Sequence, residues 1–381
     1  MSVPADHRRP AARGRRSETG VETVRIAVVA LRTGLTGRPA ALTEGLSSLG
    51  HRVAVYSDTP SRPGCVRTPT DLDECVRVLE RHWSEDPPDV VHAHDWTSGV
   101  AALLAVRGLG VPVVQSCHDL GVRLRRTGVA VHPKRVAFER MVVRQAAHVL
   151  AHGRVDPADL LRMGVPRPNL TTMPDMVDVD RFTPDGPGDT RRLRHRLVSV
   201  GPLRPTSGLD EVVGALSAVP DAELVVVGGR APGAGAEAHR LAALAHAHGV
   251  RSRVRLATDL PERALPRLLR SADLVVGTAA GPGVLEAMAC GVPVVAPATS
   301  RAADLVVDGV TGVVVPGDDR PALVRAVRRL LVSPALRDAY GTAGADRART
   351  CYSPSCVAEK TTRVYAAVTS RRPHLAPLGA R

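Results

Sequence analysis

Residues Gly281–Val295 read GPGVLEAMACGVPVV. The glycine turn GPG leads into a helix with one glutamate, Glu286, a turn in. Gly291 stops that helix, and VPVV has the composition of a buried strand. Just upstream, Asp273–Thr278 (DLVVGT) is another apolar run. Strand, glycine turn, helix, glycine, strand is one βαβ unit of a parallel sheet. A helix start behind a glycine turn offers unsatisfied N–H groups and a partial positive charge, which suit a phosphate. A carboxylate a turn further in suits vicinal hydroxyls such as those of a ribose. A nucleoside diphosphate has both features. Glu286 equally fits an ordinary first-turn glutamate favoured by the helix dipole.

The same alternation extends outward from this unit. Before it come the strand RLVSVG, the helix GLDEVVGALSAV, the strand AELVVVGG, a helix over Glu237–His248, the strand RVRLAT and the helix PERALPRLLRSA. After it come the strands PVVAPA and TGVVVPGD and helices over Asp319–Leu331 and Leu336–Thr350. The first half alternates likewise. Its strands are VRIAVVAL, HRVAVYSD, PDVVHAHDW, VPVVQSCHD, HVLAH and NLTTMPD, with helical stretches between them. MVDVDRFTPDGPGDTRR, rich in Pro, Gly and Asp, breaks the pattern as a linker. The expected organisation is α/β, with two Rossmann-like, doubly wound parallel-sheet domains over 23–176 and 196–350 and a linker over 177–195. A closing helix over 351–370 should return to the first domain, with Val357, Val364 and Ala367 at near-helical spacing. Residues 1–22 and 371–381 are expected to be disordered ends.

Composition narrows the function. A chain of 381 residues is the size of two domains, and 44% hydrophobic residues fill two cores. No apolar run is long enough to span a bilayer, and the Arg-rich start has no apolar signal core. The net charge of +13 is nearly all arginine, Lys134 and Lys360 being the only lysines. Those arginines are scattered and aromatics are 2%, which argues against nucleic-acid binding. A pull on anionic substrates or on a membrane surface is left open. The six cysteines form no CxxC and read as reduced thiols of a cytoplasmic protein. His92 and His94 in VVHAHDW lack further ligands at metal spacing and read as strand-end residues. No metal site is expected.

The ordered landmarks resemble a known family. LEAMACGVPVVA followed by DLVVDGVTGVVVPGDD is similar to the C-terminal signature of family 4 retaining glycosyltransferases of the GT-B fold, including actinobacterial enzymes that act on inositol phosphate or lipid acceptors. PDVVHAHDWTSGVAALLA, VPVVQSCHDL, LLRMGVPRPNLTTMP, VDVDRFTP and VGPL…GLDEVVGAL match further landmarks in order, from about Arg25 to Tyr365. The resemblance implies two domains facing across a cleft. It also implies a nucleotide-diphosphate sugar on the C-terminal domain, an acceptor hydroxyl on the N-terminal one, and no cofactor or metal.

Carried onto this sequence, the family pattern puts His118 near the reacting carbon. It puts Gly281, Gly283, Leu285 and Glu286 at the nucleotide sugar, and Gly34 and Gly37 in the N-domain glycine loop. Pro202 and Ser207 stand where the family has its diphosphate arginine and lysine, and Thr278 where it has a first glutamate. Pro282 removes an N–H from the helix start. Arg204 and Arg230 lie where they could supply the missing charge. The expected activity is retaining sugar transfer. The competing readings are a silent GT-B-like partner, scaffold or sugar-nucleotide sensor and, more distantly, another GT-B activity such as a phosphorylase or epimerase.

Overall fold

The computed structural model describes residues 23–31, 38–59, 64–126, 130–153, 155–228, 233–278 and 283–370. The chain divides into two compact units, Met1–Asp175 with Pro354–Arg381, and Met176–Ser353.

The first unit is a parallel sheet of β1 (Arg25–Ala30), β2 (Arg52–Ser57), β3 (Cys65–Arg67), β4 (Val90–His94), β5 (Val113–Cys117), β6 (His148–His152) and β7 (Leu170–Met173). Their order across the sheet is β3-β2-β1-β4-β5-β6-β7. The helices are α1 (Arg38–Ser48), α2 (Leu72–Glu85), α3 (Trp96–Ala105), α4 (Gly121–Arg126), α5 (Arg135–Gln145) and α6 (Pro157–Met163). β1, β4, β5 and β6 are buried along nearly their whole length, polar residues included, as in a parallel sheet covered on both faces. α2 is amphipathic and buries Cys75, Leu79 and Trp83, and its first turn is capped by Asp71. The short edge strand β3 and the six-residue α4 had no counterpart in the sequence pattern.

The second unit has β8 (His195–Val200), β9 (Ala222–Val227), β10 (Val254–Ala257), β11 (Leu274–Val276), β12 (Val294–Pro297) and β13 (Gly312–Val315), in the order β10-β9-β8-β11-β12-β13. Every pairing is parallel. Around the sheet lie α7 (Leu209–Leu216), α8 (Ala234–Ala247), α9 (Leu265–Arg270), α10 (Val284–Ala289), α11 (Arg320–Val332) and α12 (Pro334–Cys351). Of residues 177–195, read as a linker, 177–194 form no helix or strand, and His195 already begins β8. Residues 177–194 are nevertheless packed into this unit. Val177 and Phe182 are buried in its core, and the Val177 N–H donates to the Tyr352 carbonyl at 2.9 Å.

The last helix, α13 (Pro354–Ser370), belongs to the first unit. It packs along α1. A Cβ on Gly45 of α1 would lie 2.8 Å from the Pro354 carbonyl oxygen, so only glycine allows that approach. Val357 and Val364 are buried as their spacing suggested, whereas Ala367 is exposed and Val368 takes the inward position. Tyr365 is fully buried.

Both sheets have a switch point, between β1 and β4 and between β8 and β11, where the strand order reverses. In such sheets ligands bind beyond the carboxyl ends of the strands at this point.

Candidate active site

In the first unit, three neighbouring parallel strands bring histidines to one end: His94 closes β4, His118 follows β5 and His152 closes β6. Parallel register makes them neighbours, since His94 pairs with Ser116 and Cys117 with Ala151. The rings stack. His92 and His94 are 4.3 Å apart at 30°, His94 and His118 5.5 Å at 9°, and His118 and His152 4.6 Å at 27°. His94 Nδ1 lies 3.2 Å from His118 Nε2. A second line runs from Tyr365 to His92 Nδ1 at 2.6 Å, from His92 Nε2 to Ser116 at 2.8 Å, and from Ser116 to His152 Nε2 at 2.8 Å. Burial pushes His92 down to about 3 and holds His94 well below the usual imidazole range, and neighbouring imidazoles add to both effects.

His118 opens onto a cavity of about 310 Å³ lined also by Asp95, Trp96, Asp119, Arg135 and Glu139. Asp95 follows β4 in a left-handed conformation, φ 72°, rare for a residue other than glycine. It is held there by capping α3. Its carboxylate accepts from Thr97 N–H at 2.7 Å, Ser98 N–H at 3.0 Å and Ser98 Oγ–H at 2.9 Å. Burial nevertheless pushes its pKa up to about 7, against those hydrogen bonds. Across the cavity Glu139 accepts the Gly121 N–H at 2.8 Å and Arg135 Nε–H at 2.6 Å, and Arg135 also donates to Asp119. These contacts fix the start of α4. Asp95, His152 and the Arg135–Glu139 pair were not anticipated. The signal for His152 was the repeated histidine at strand ends in HAH, SCH and LAH.

In the second unit, Gly201 and Thr278 meet at the switch point. Thr278 is 2% exposed and donates from Oγ1 to the Val200 carbonyl at 3.3 Å. Gly283, at φ 82°, precedes α10, and a Cβ there would come within 2.3 Å of Val200. Glu286 sits half-buried in the first turn of α10, while the Leu285 side chain is buried in the core. Ser207 is 4% exposed, and its Oγ has no hydrogen-bond partner among the described residues. It sits beside the start of α7, on a smaller cavity of about 130 Å³ that includes Gly208, Glu211, Thr299, Asp318 and Asp319. Arg204 is exposed and its side chain pairs with no described residue. Gly34, Gly37, Arg230 and Gly281 lie outside the described residues. Among the described residues no group of three or more His, Cys, Asp or Glu is arranged to hold a metal ion, and no helix is long and apolar enough to cross a membrane.

Comparison with known proteins bears on both units. A family model described as "Glycosyl transferase 4-like domain" matches residues 3–176, and one described as "Glycosyl transferases group 1" matches residues 192–347. A D-inositol 3-phosphate glycosyltransferase of Xylanimonas cellulosilytica is 35% identical over 320 residues, which cover 78% of this chain and 76% of that protein. Sucrose-phosphate synthase of Thermosynechococcus elongatus is similar in structure at a TM-score of 0.70 and 21% identity, over 91% of this chain and 99% of the other. HepE of Anabaena in complex with UDP is similar at 0.73 and 15% identity, over 90% and 100%. HepE has also been solved with UDP-glucose.

Proposed function

This chain belongs to the group 1, 4-like glycosyltransferases, with the GT-B fold, and from that premise we propose that it moves a sugar from a nucleotide-diphosphate donor to an acceptor hydroxyl with retention of anomeric configuration. The second unit takes the nucleotide sugar. Glu286 accepts from the ribose hydroxyls, the backbone around Gly281 and Gly283 approaches the diphosphate, and Arg204 carries the balancing charge. The first unit takes the acceptor in the cavity beside His118. The reading calls for no cofactor and no metal, because fixed donors and arginine can stabilise a departing diphosphate. Relatives named for D-inositol 3-phosphate make a phosphorylated cyclitol the first acceptor to try. The UDP-glucose seen with HepE is the first donor to try.

The observation that carries this reading is the convergence of His118, Asp95 and Arg135 on one cavity at the carboxyl ends of the strands, where α/β sheets bind ligands. One feature favours the silent alternative. At the family's first glutamate position Thr278 spends its hydroxyl on the Val200 carbonyl, and at its lysine position Ser207 is buried. Calorimetric titration with UDP and GDP, followed by a transfer assay with the nucleotide that binds, separates the two. Binding with sugar transfer supports the enzyme. Binding without turnover on any acceptor supports a sensor. No binding at millimolar nucleotide overturns the transferase reading.

A further inference from the structure

We propose that His94 is a positioning residue for His118: by donating its Nδ1 proton to His118 Nε2 it holds His118 as the Nδ1–H tautomer, so that His118 meets substrate only as a hydrogen-bond donor. The consequence for transfer rests on the reading of His118 given above. The tautomer itself rests on geometry alone.

His94 is 2% exposed, and its Nε2 is buried with no hydrogen-bond partner among the described residues. Its Nδ1 stands 3.2 Å from His118 Nε2. Burial and the surrounding imidazoles keep the ring neutral, so it has one N–H and one lone pair. Only two arrangements exist. If the proton is on Nε2, a buried N–H is orphaned and His94 Nδ1 accepts from His118. If it is on Nδ1, His94 donates to His118, and only a lone pair at Nε2 goes unsatisfied. Orphaned buried N–H groups are the rarer and costlier defect. The second arrangement therefore prevails.

The neighbouring line offers no escape. The Tyr365 hydroxyl is buried, and its one hydrogen-bond partner among the described residues is His92 Nδ1. A buried hydroxyl proton must go somewhere, so Tyr365 donates to His92. His92 then donates from Nε2 to Ser116, and Ser116 donates to His152 Nε2. Every group in that line is committed, and none is left for His94 Nε2. Turning the His94 ring by 180° would keep its stacking on His92 and His118 but would set Cδ2 against His118 Nε2 and forfeit the hydrogen bond between the two rings. A neutral His118 held in this way has its lone pair at Nε2 occupied. It has none with which to take a proton from an acceptor hydroxyl.

The test is long-range ¹⁵N–¹H correlation spectroscopy on the full chain labelled with ¹⁵N-histidine, at a pH above the ordinary histidine range. The His118 signals are assigned by their loss in His118→Gln. The wild-type protein should show His118 protonated at Nδ1. His94→Leu should release it towards the Nε2–H form, while His94→Asn, which keeps a donor near the Nδ1 position, should restore the native pattern. If sugar transfer is detected, His94→Leu should lower kcat about 10²-fold with little change in KM, and His94→Asn should recover most of it. Wild-type His118 protonated at Nε2 overturns the proposal even if no variant folds. So does an unchanged His118 tautomer in folded His94→Leu. Absence of transfer with the expected tautomers overturns the functional reading and leaves this assignment standing.

Discussion

At position 118, what an acceptor meets depends on which side-chain atoms a substitution keeps. His118 lines the cavity with Nε2 engaged by His94, so the useful group is a donor and not a base. Asparagine retains an N–H near the Nδ1 position, and alanine retains nothing. His118→Ala should therefore lower kcat/KM by about 10²–10³, the usual loss for one preorganised donor. His118→Asn should stay within about tenfold of wild type. Equal losses would mean that the ring acts as a base. Arg204 poses the parallel question in the second unit. Its side chain is exposed and pairs with no described residue, so the side chain is not needed for the fold. Arg204→Ala should leave the melting temperature unchanged and cut turnover by about 10²–10³ if it faces the diphosphate. Unchanged turnover would remove it from the site. His118 was legible through its place after VPVVQSC and the family resemblance. Asp95 was not, because nothing in HDW marks its aspartate as a positive-φ cap of α3.

Strand β4 shows what side-chain period can and cannot reveal. VVHAH reads correctly as a buried strand, and His94 ends it as read, whereas His92 lies in its middle. That they stack on each other, that His94 stacks on His118 after β5, and that His118 stacks on His152 of β6 is set by the register of three parallel strands, which no single segment encodes. β3 and α4 escaped for a related reason. CVR and GVRLRR are too short to display a period of two or of 3.6, and only pairing with β2 and the Glu139 contact to Gly121 define them. The buried histidines also set a pH dependence. Burial lowers the folded-state pKa of His92 to about 3, and that of His94 also lies below the unfolded value. Their contribution to stability is thus fully present above about pH 6.5 and is lost as pH falls towards their folded values, because the unfolded chain binds protons that the folded one refuses. Each should contribute about 1.4 kcal/mol per pH unit in this window. Both tryptophans, Trp83 and Trp96, lie in the first unit, so urea melts followed by tryptophan fluorescence isolate it. His92→Gln should be less stable at neutral pH and should flatten the slope below pH 6 by about one histidine's worth. A slope unchanged in His92→Gln would mean that His92 is already protonated in the fold.

At the scale of the molecule, the alternation of strands and helices foretold two parallel sheets, and the ordered landmarks foretold their family. The pattern did not show that the segment rich in Pro, Gly and Asp after residue 176 packs into the second unit. Composition records chain flexibility, whereas the burial of Val177 and Phe182 depends on a surface supplied from far along the sequence. The first unit is likewise built from two distant stretches, and its completeness depends on α13. That helix buries Val357, Val364, Tyr365 and Val368 and closes the hydrogen-bond line that begins at the Tyr365 hydroxyl. At about 1.5–3 kcal/mol for each large buried side chain, its removal costs an amount comparable to the 5–15 kcal/mol that holds a typical domain together. A chain ending at Ser353 should therefore lose the cooperative tryptophan transition of the first unit altogether. Hydrogen exchange should show protection lost from β1 and β4 but retained in β8 and β11, whose unit is intact up to Ser353. Gly45→Val is a milder version of the same change. Its new Cβ meets the Pro354 carbonyl, which must shift and take α13 with it, so the tryptophan midpoint should fall while the second unit is untouched. Equal loss of protection in both units would show that they fold as one. A normal first unit without α13 would show that the helix is an appendage.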